Sequence, residues 1–147
     1  MRKFIFSDIH NISPLALIRW VDSEYDDAIS KKVGDNKILK QKSVRSILKI
    51  LSIHSGISQN NLAREVHLKG STISLALDMM EREGLIRREQ SLTDKRKLNV
   101  FLCSSGFELK KELDIIIDDT EKELLSALSD NEKYILTEIL NKILANI

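Results

Sequence analysis

Three consecutive cations, Lys95-Arg96-Lys97, follow Asp94 in a polar stretch of the chain. Upstream, Lys69 and Gly70 precede three closely spaced hydroxyls, Ser71, Thr72 and Ser74, with the apolar Leu75 beside them. Guanidinium and ammonium groups neutralise phosphates, and hydroxyls at the start of a helix add donors and acceptors for phosphate oxygens and base edges. A leucine among them can touch a thymine methyl. These residue types suit recognition of nucleic acid and not bond-making. The sequence has no Gly-rich phosphate loop, nucleophile elbow, HExxH or evident Ser/His/carboxylate grouping, so it reads as no enzyme and calls for no cofactor. His10, His54 and His67 lie 44 and 13 residues apart, without the short ligand spacings of a zinc site, so no metal is expected.

The charge balance places the recognition chemistry in the middle of the chain. The whole sequence carries a formal +1, yet residues 41–103 hold eleven basic and six acidic side chains, leaving a net −4 for the two flanks. A basic centre between acidic ends fits a nucleic-acid-binding lobe on a separate scaffold. With 147 residues and 42% hydrophobic content, the chain can build one core without metal or disulfide. Five Gly, one Pro and seven aromatic residues leave little turn chemistry for a sandwich or barrel, so a mainly α fold is expected. The single cysteine, Cys103, the missing signal pattern and the absence of an 18-residue apolar run point to a cytoplasmic protein outside the membrane.

Periodicity then supplies the elements. Ser13-Pro14 opens a helix to about Lys32, with Leu15, Ile18, Val21, Tyr25 and Ile29 on one side. A second helix starts near Ser43 and stops at Ser55-Gly56. Ser58 caps a short helix with Leu62, Ala63 and Val66 inward. After His67-Leu68-Lys69-Gly70 comes another, with Ile73, Ala76, Leu77 and Met80 inward and Gly84 closing it. Two short helices joined this way make a helix-turn-helix. Short β-like runs follow at 85–89 and 98–102, flanking an exposed basic tip. Ser104 or Ser105 is expected to cap a long helix carrying Phe107, Leu113, Ile116, Ile117, Thr120 and Leu124, and Ser129 with Glu132 forms a capping box for the last.

With these elements in place, Ser58-Gln59, Leu62-Ala63, Ser71-Thr72-Ile73, Leu85-Ile86-Arg87-Arg88 and Asp94-Lys95-Arg96 resemble the MarR family of bacterial regulators. The resemblance covers essentially the whole chain and is most specific from Ile57 to Leu102. It implies a mainly α winged helix-turn-helix with a small β-wing, in one domain over 1–147. Residues 41–103 would form the DNA-binding lobe, and 1–40 with 104–147 the interlocking dimerisation helices. It further implies a homodimeric transcription regulator, typically a repressor, that binds a pseudo-palindromic operator in double-stranded DNA and is often released by a small-molecule effector or by oxidation. By position, Lys69, Ser71, Thr72, Ser74, Leu75, Lys95, Arg96 and Lys97 would contact DNA, while Asp94 would pair with a basic side chain and hold the wing. Where many relatives carry arginines on the recognition helix, this chain has Gly70 and Leu75, which cannot make the bidentate guanine contact.

That departure keeps a second reading open, a winged-helix protein-interaction module without operator binding. Trp20, Tyr25 and Phe107 either line an effector pocket or are core and interface aromatics. Cys103, at a strand end, reads as a small packed hydrophobe and not as a redox switch. The stripes on the first helix (Leu15, Ile18, Tyr25) and the last (Leu136, Leu140, Ile143) exceed what one small lobe can cover, which favours a dimer.

Overall fold

In a computed structural model that describes residues 12–147, the chain forms six helices and a small sheet. His10 lies outside the described residues. Helix α1 spans Pro14–Lys32, α2 Lys42–Ile53, α3 Gln59–Glu65, α4 Gly70–Arg82, α5 Ser104–Leu124 and α6 Asp130–Leu144. Strands β1 (Ile57–Ser58), β2 (Ile86–Gln90) and β3 (Leu98–Leu102) make an antiparallel sheet in the order β1-β3-β2. The hairpin register pairs Ile86 with Leu102 and Gln90 with Leu98, and β1 joins through Ile57 opposite Val100.

The core follows the apolar spacing of α2 and α4. Val44, Ile47, Leu48 and Leu51 of α2 are fully buried, and Ile73, Ala76, Leu77 and Met80 of α4 face them. Each such large apolar side chain contributes about 1.5–3 kcal/mol on burial. Leu62 of α3, Val100 of β3, Leu113 of α5 and Ile29 of α1 belong to the same cluster. The helix-turn-helix is therefore set by one continuous apolar contact. Ser58 caps α3 as expected, its side chain accepting from the Asn61 N–H, and the Ser129–Glu132 capping box is present in full.

Two expected caps do not form. Ser13 holds the N-cap position of α1, but its side chain makes no cap bond. Its carbonyl does the closing, accepting from the N–H groups of Ala16 and Leu17 at 2.9 and 3.1 Å. At α5 the N-cap is Cys103, not Ser104 or Ser105. Ser105 turns its hydroxyl to the Gly84 carbonyl at 2.6 Å, bonding the end of the helix-turn-helix instead of its own helix. β2 also runs one residue later than the apolar run suggests, and β1 has no counterpart in the sequence pattern.

The end of α4 is closed by the Leu85 N–H on the Met80 carbonyl and the Gly84 N–H on the Glu81 carbonyl, a geometry that needs the positive φ of 69° at Gly84. The wing is then bound to α4 by Arg88. Its guanidinium reaches Asp78 at 2.7 Å and Glu81 at 2.5 and 3.0 Å, and its backbone N–H also donates to Glu81 at 3.0 Å. These bonds to Arg88 hold the Glu81 carboxyl below its usual range despite some opposing desolvation.

α1 buries Ile29 in the same core and is further attached by charge. Arg45, buried on α2, pairs with Asp26 and donates to the Leu39 carbonyl at 2.5 Å. Lys32 meets Glu123 at 2.8 Å, Lys42 meets Asp22 at 2.7 Å, and the Tyr25 hydroxyl donates to Glu121 at 3.1 Å. α6 contributes no buried residue, and Ile135, Leu136, Ile139, Ile143 and Leu144 on it are exposed.

Two glycines separate close packing from mere helix entropy. A Cβ on Gly106 would stand 2.3 Å from the Leu85 carbonyl oxygen and 2.5 Å from Leu102 Cδ1, whereas one on Gly70 would meet nothing within 4 Å. Gly106→Ala is expected to destabilise by about 1–3 kcal/mol. Gly70→Ala is expected to stabilise by about 0.5 kcal/mol, both changes being read from urea titration of the variants beside wild type.

The Arg88 clamp predicts a pH dependence. Glu81 has a lowered carboxyl pKa in the folded chain, so its contribution is fully present above the unfolded value of about 4.3 and is lost as pH falls through the folded one. Arg88 stays charged throughout that window. Arg88→Met should cost about 1 kcal/mol at pH 7, modest because Asp78 and Glu81 are both well exposed to solvent. The gap between wild type and variant should narrow in melts taken below about pH 4. A gap independent of pH would show that Arg88 acts by packing alone.

Candidate nucleic-acid interface

The same period that buries one side of α4 leaves the other in solvent. Ser71, Thr72, Leu75 and Asp78 are exposed, Ser74 is half-buried, and Lys69 stands exposed at the N-cap. Lys69 makes no side-chain cap bond and the first turn carries no acidic residue. The first N–H groups of α4 are therefore left to an external acceptor, in the end of the helix where an anion is favoured. Leu75 is 71% exposed, with no core role to account for it.

The wing loop between β2 and β3 is folded by short-range bonds. The Ser91 N–H donates to the Lys97 carbonyl and the Lys97 N–H to the Asp94 carbonyl, both at 2.9 Å. Buried Ser91 accepts from the N–H groups of Thr93 and Asp94 at 3.3 Å each. Asp94 accepts from the Arg96 N–H at 3.1 Å and from Arg96 Nε at 3.3 Å, with Lys97 Nζ at 3.8 Å. The Arg96 bonds, then Lys97, hold the Asp94 carboxyl below its usual range. The Arg96 side chain is still 92% exposed, and an ion pair that open to water is easily exchanged. Lys95 and Lys97 are exposed on the same loop.

These parts form one surface. Arg96, Lys97 and Leu98 of the wing share a cleft of about 130 Å³ with Ser58, Gln59 and Asn60 at the start of α3. Gln59 in turn donates from Nε2 to Ser74 Oγ on α4 at 3.3 Å. Gln59 and Arg88 enter the sequence reading only within the runs that carry the family resemblance, with no role of their own, and Ser91 is not singled out. Ser91 has a local signal, a serine two and three residues before the N–H groups it accepts from. The other two act across gaps with no periodic trace.

The three aromatics considered for a pocket are not gathered into one. Tyr25 lines a cavity of about 250 Å³ between α1, α2 and α5, with Asp26, Lys42, Arg45, Lys49 and Ile117 also in its wall. Trp20 and Phe107 are not in that wall, and both side chains are substantially exposed. Burial, and then Glu121, pushes the Tyr25 hydroxyl up to about 12, so it remains a donor. Cys103 is partly buried at the junction of β3 and α5. Among the described residues no cluster of three or more potential metal ligands is found.

Comparison with known proteins agrees with this geometry. The MarR family model matches residues 45–98, the stretch from α2 to the start of β3. The transcriptional regulator HosA of Escherichia coli O157:H7 is 27% identical over 99 residues, covering 67% of this chain and 73% of that protein. A MarR-family regulator from Silicibacter pomeroyi superposes with a TM-score of 0.76 at 26% identity, over 89% of this chain and 87% of its own. PcaV from Streptomyces coelicolor, solved with its natural ligand, shares the fold at a TM-score of 0.76 and 19% identity, over 90% and 92% of the two chains. With residues 45–98 matched by the family model and the helices around them matched in shape, the chain is similar to the MarR family of transcriptional regulators.

Proposed function

We propose that the protein is a dimeric, cytoplasmic DNA-binding repressor in which α4 enters the major groove of a pseudo-palindromic operator and the wing follows the adjacent minor groove. The observation that carries this reading is the continuity of the uncapped, hydroxyl-bearing start of α4 with the cationic wing through the Gln59 cleft. Ser71, Thr72 and Ser74 supply bonds to phosphates and base edges, and Leu75 an apolar contact for a thymine methyl. Lys69, Lys95, Arg96 and Lys97 supply charge. The exposed apolar residues of α1 and α6 support a second copy as their cover. A small-molecule effector is supported by the cavity at Tyr25, which adjoins the α1 ion pairs, and by the ligand-bound state of PcaV.

The exposed Leu75, with no arginine on the outer side of the first turns of α4, favours a second reading as a protein-interaction module. Titration of random-sequence duplex at two salt concentrations separates the two, because phosphate binding releases counterions and must weaken with salt.

Arg96→Ala should flatten the slope of log affinity against log salt by roughly 1.8, about 0.9 for each phosphate that the two wings of a dimer no longer neutralise. Specific and random duplexes should weaken together. Ser71→Ala or Thr72→Ala should instead narrow the gap between operator and random DNA with little change in slope. An Arg96→Ala variant with an unchanged slope would remove the wing from the binding reading. For the assembly, deletion of residues 131–147 should abolish the dimer in light scattering and reduce helicity. A stable, folded monomer would sink the interlocked arrangement.

A further inference from the structure

We propose that Gln59 is a positioning residue that sets the direction of the Ser74 hydroxyl, so that Ser74 acts on DNA as a donor and selects a base edge presenting an acceptor. The inference rests on the DNA-binding reading above and adds to it how one position of the recognition helix is specified.

A serine hydroxyl has one proton and two lone pairs, and by itself it can read donors and acceptors alike. At Ser74 that freedom is restricted. Gln59 Nε2, reaching from the first turn of α3, donates to Ser74 Oγ at 3.3 Å and occupies its inward lone pair. The amide orientation is fixed by its other end. Gln59 Oε1 is buried and accepts no hydrogen bond among the described residues. The reverse orientation would bury an NH₂ group there and leave two donors unmet in place of one acceptor.

The Ser74 proton has no inward use either. Thr120 and Thr137 give theirs to the carbonyl four residues back, at 2.6 and 2.9 Å. Ser74 makes no such bond and donates to no group among the described residues. Its O–H, with no acceptor among the described residues, is left for the side of α4 that carries exposed Ser71, Thr72 and Leu75, and an unmet proton costs more than the one lone pair that remains beside it. In the major groove the partners for a donor are guanine O6 and N7, adenine N7 and thymine O4, whereas adenine N6 and cytosine N4 are donors themselves.

The experiment selects duplexes from a library of randomised double-stranded DNA with wild type, Gln59→Met, Ser74→Ala, the double variant and Gln59→Glu, with each protein's melting curve recorded. Wild type is expected to enrich an acceptor-presenting base at one position of each half-site. Gln59→Met should weaken that preference about three- to tenfold, the value of one neutral hydrogen bond, at this position alone and without a change in salt slope. In the Ser74→Ala background, Gln59→Met should have no further effect. Gln59→Glu, the same shape with only acceptors, should draw the Ser74 proton inward and shift the preference toward edges bearing adenine N6 or cytosine N4. It also keeps the test open if Gln59→Met melts early. An unchanged profile in both Gln59 variants overturns the proposal. So does an equal loss on all duplexes with and without Ser74, which marks a purely structural role. In either case a wild type that still selects a motif leaves the DNA-binding reading standing. A wild type that selects no motif overturns both.

Discussion

The backbone of Leu85 joins the parts of this molecule that must keep a fixed relation. Its N–H closes α4 on the Met80 carbonyl, and its carbonyl accepts the Cys103 N–H at 2.9 Å, just before α5 begins. The same oxygen is the atom that a Cβ on Gly106 would strike. The end of α4, the start of the wing, the end of β3 and the first turn of α5 are therefore held at one residue. The α5 side must stay small there. A bulkier residue on α5 would force the long helix away from the lobe, and the wing would lose its angle to α4.

Much of the lobe is written in periodicity, and where periodicity ends so does legibility. Ile73, Ala76, Leu77 and Met80 fall at helical spacing and are buried together, because a short helix against a core has one way to satisfy them. β3 is likewise found where Leu98–Leu102 places it. β1 has two residues, too few to show alternation, and exists only because β3 offers it an edge. The caps at Ser13 and Cys103 differ from expectation for another reason. Residue type permits a side-chain cap, but tertiary neighbours decide whether the hydroxyl is spent there, and Ser105 is spent on Gly84. The candidate interface is legible as residue types on α4 and the wing. Its wiring through Gln59, Arg88 and Ser91 is not, because polar bonds between elements depend on how those elements meet.

The molecule uses two kinds of adhesive. The lobe is held by apolar contact, which does not care about ionic conditions. α1 sets Ile29 into that core and is further held to α2 and α5 by Asp22, Asp26, Lys32, Lys42 and their partners. Exposed pairs of this kind are individually weak and screened by salt, so this part of the attachment loosens as ionic strength rises. The cavity at Tyr25 lies beside those pairs.

Asp94 gives the wing a resident anion of its own. Before any other partner arrives, Arg96 already has a carboxylate to face, and its loop already has the shape imposed by Ser91 and the Asp94 bonds. Under the proposed function, a phosphate at the wing would replace one oxyanion with another instead of capturing a loose side chain. The loop's conformational entropy has been surrendered during folding, and little of it remains to be lost on contact. The wing behaves as a preset tool with an exchangeable counter-charge, in contrast to basic arms that acquire structure only when they meet nucleic acid.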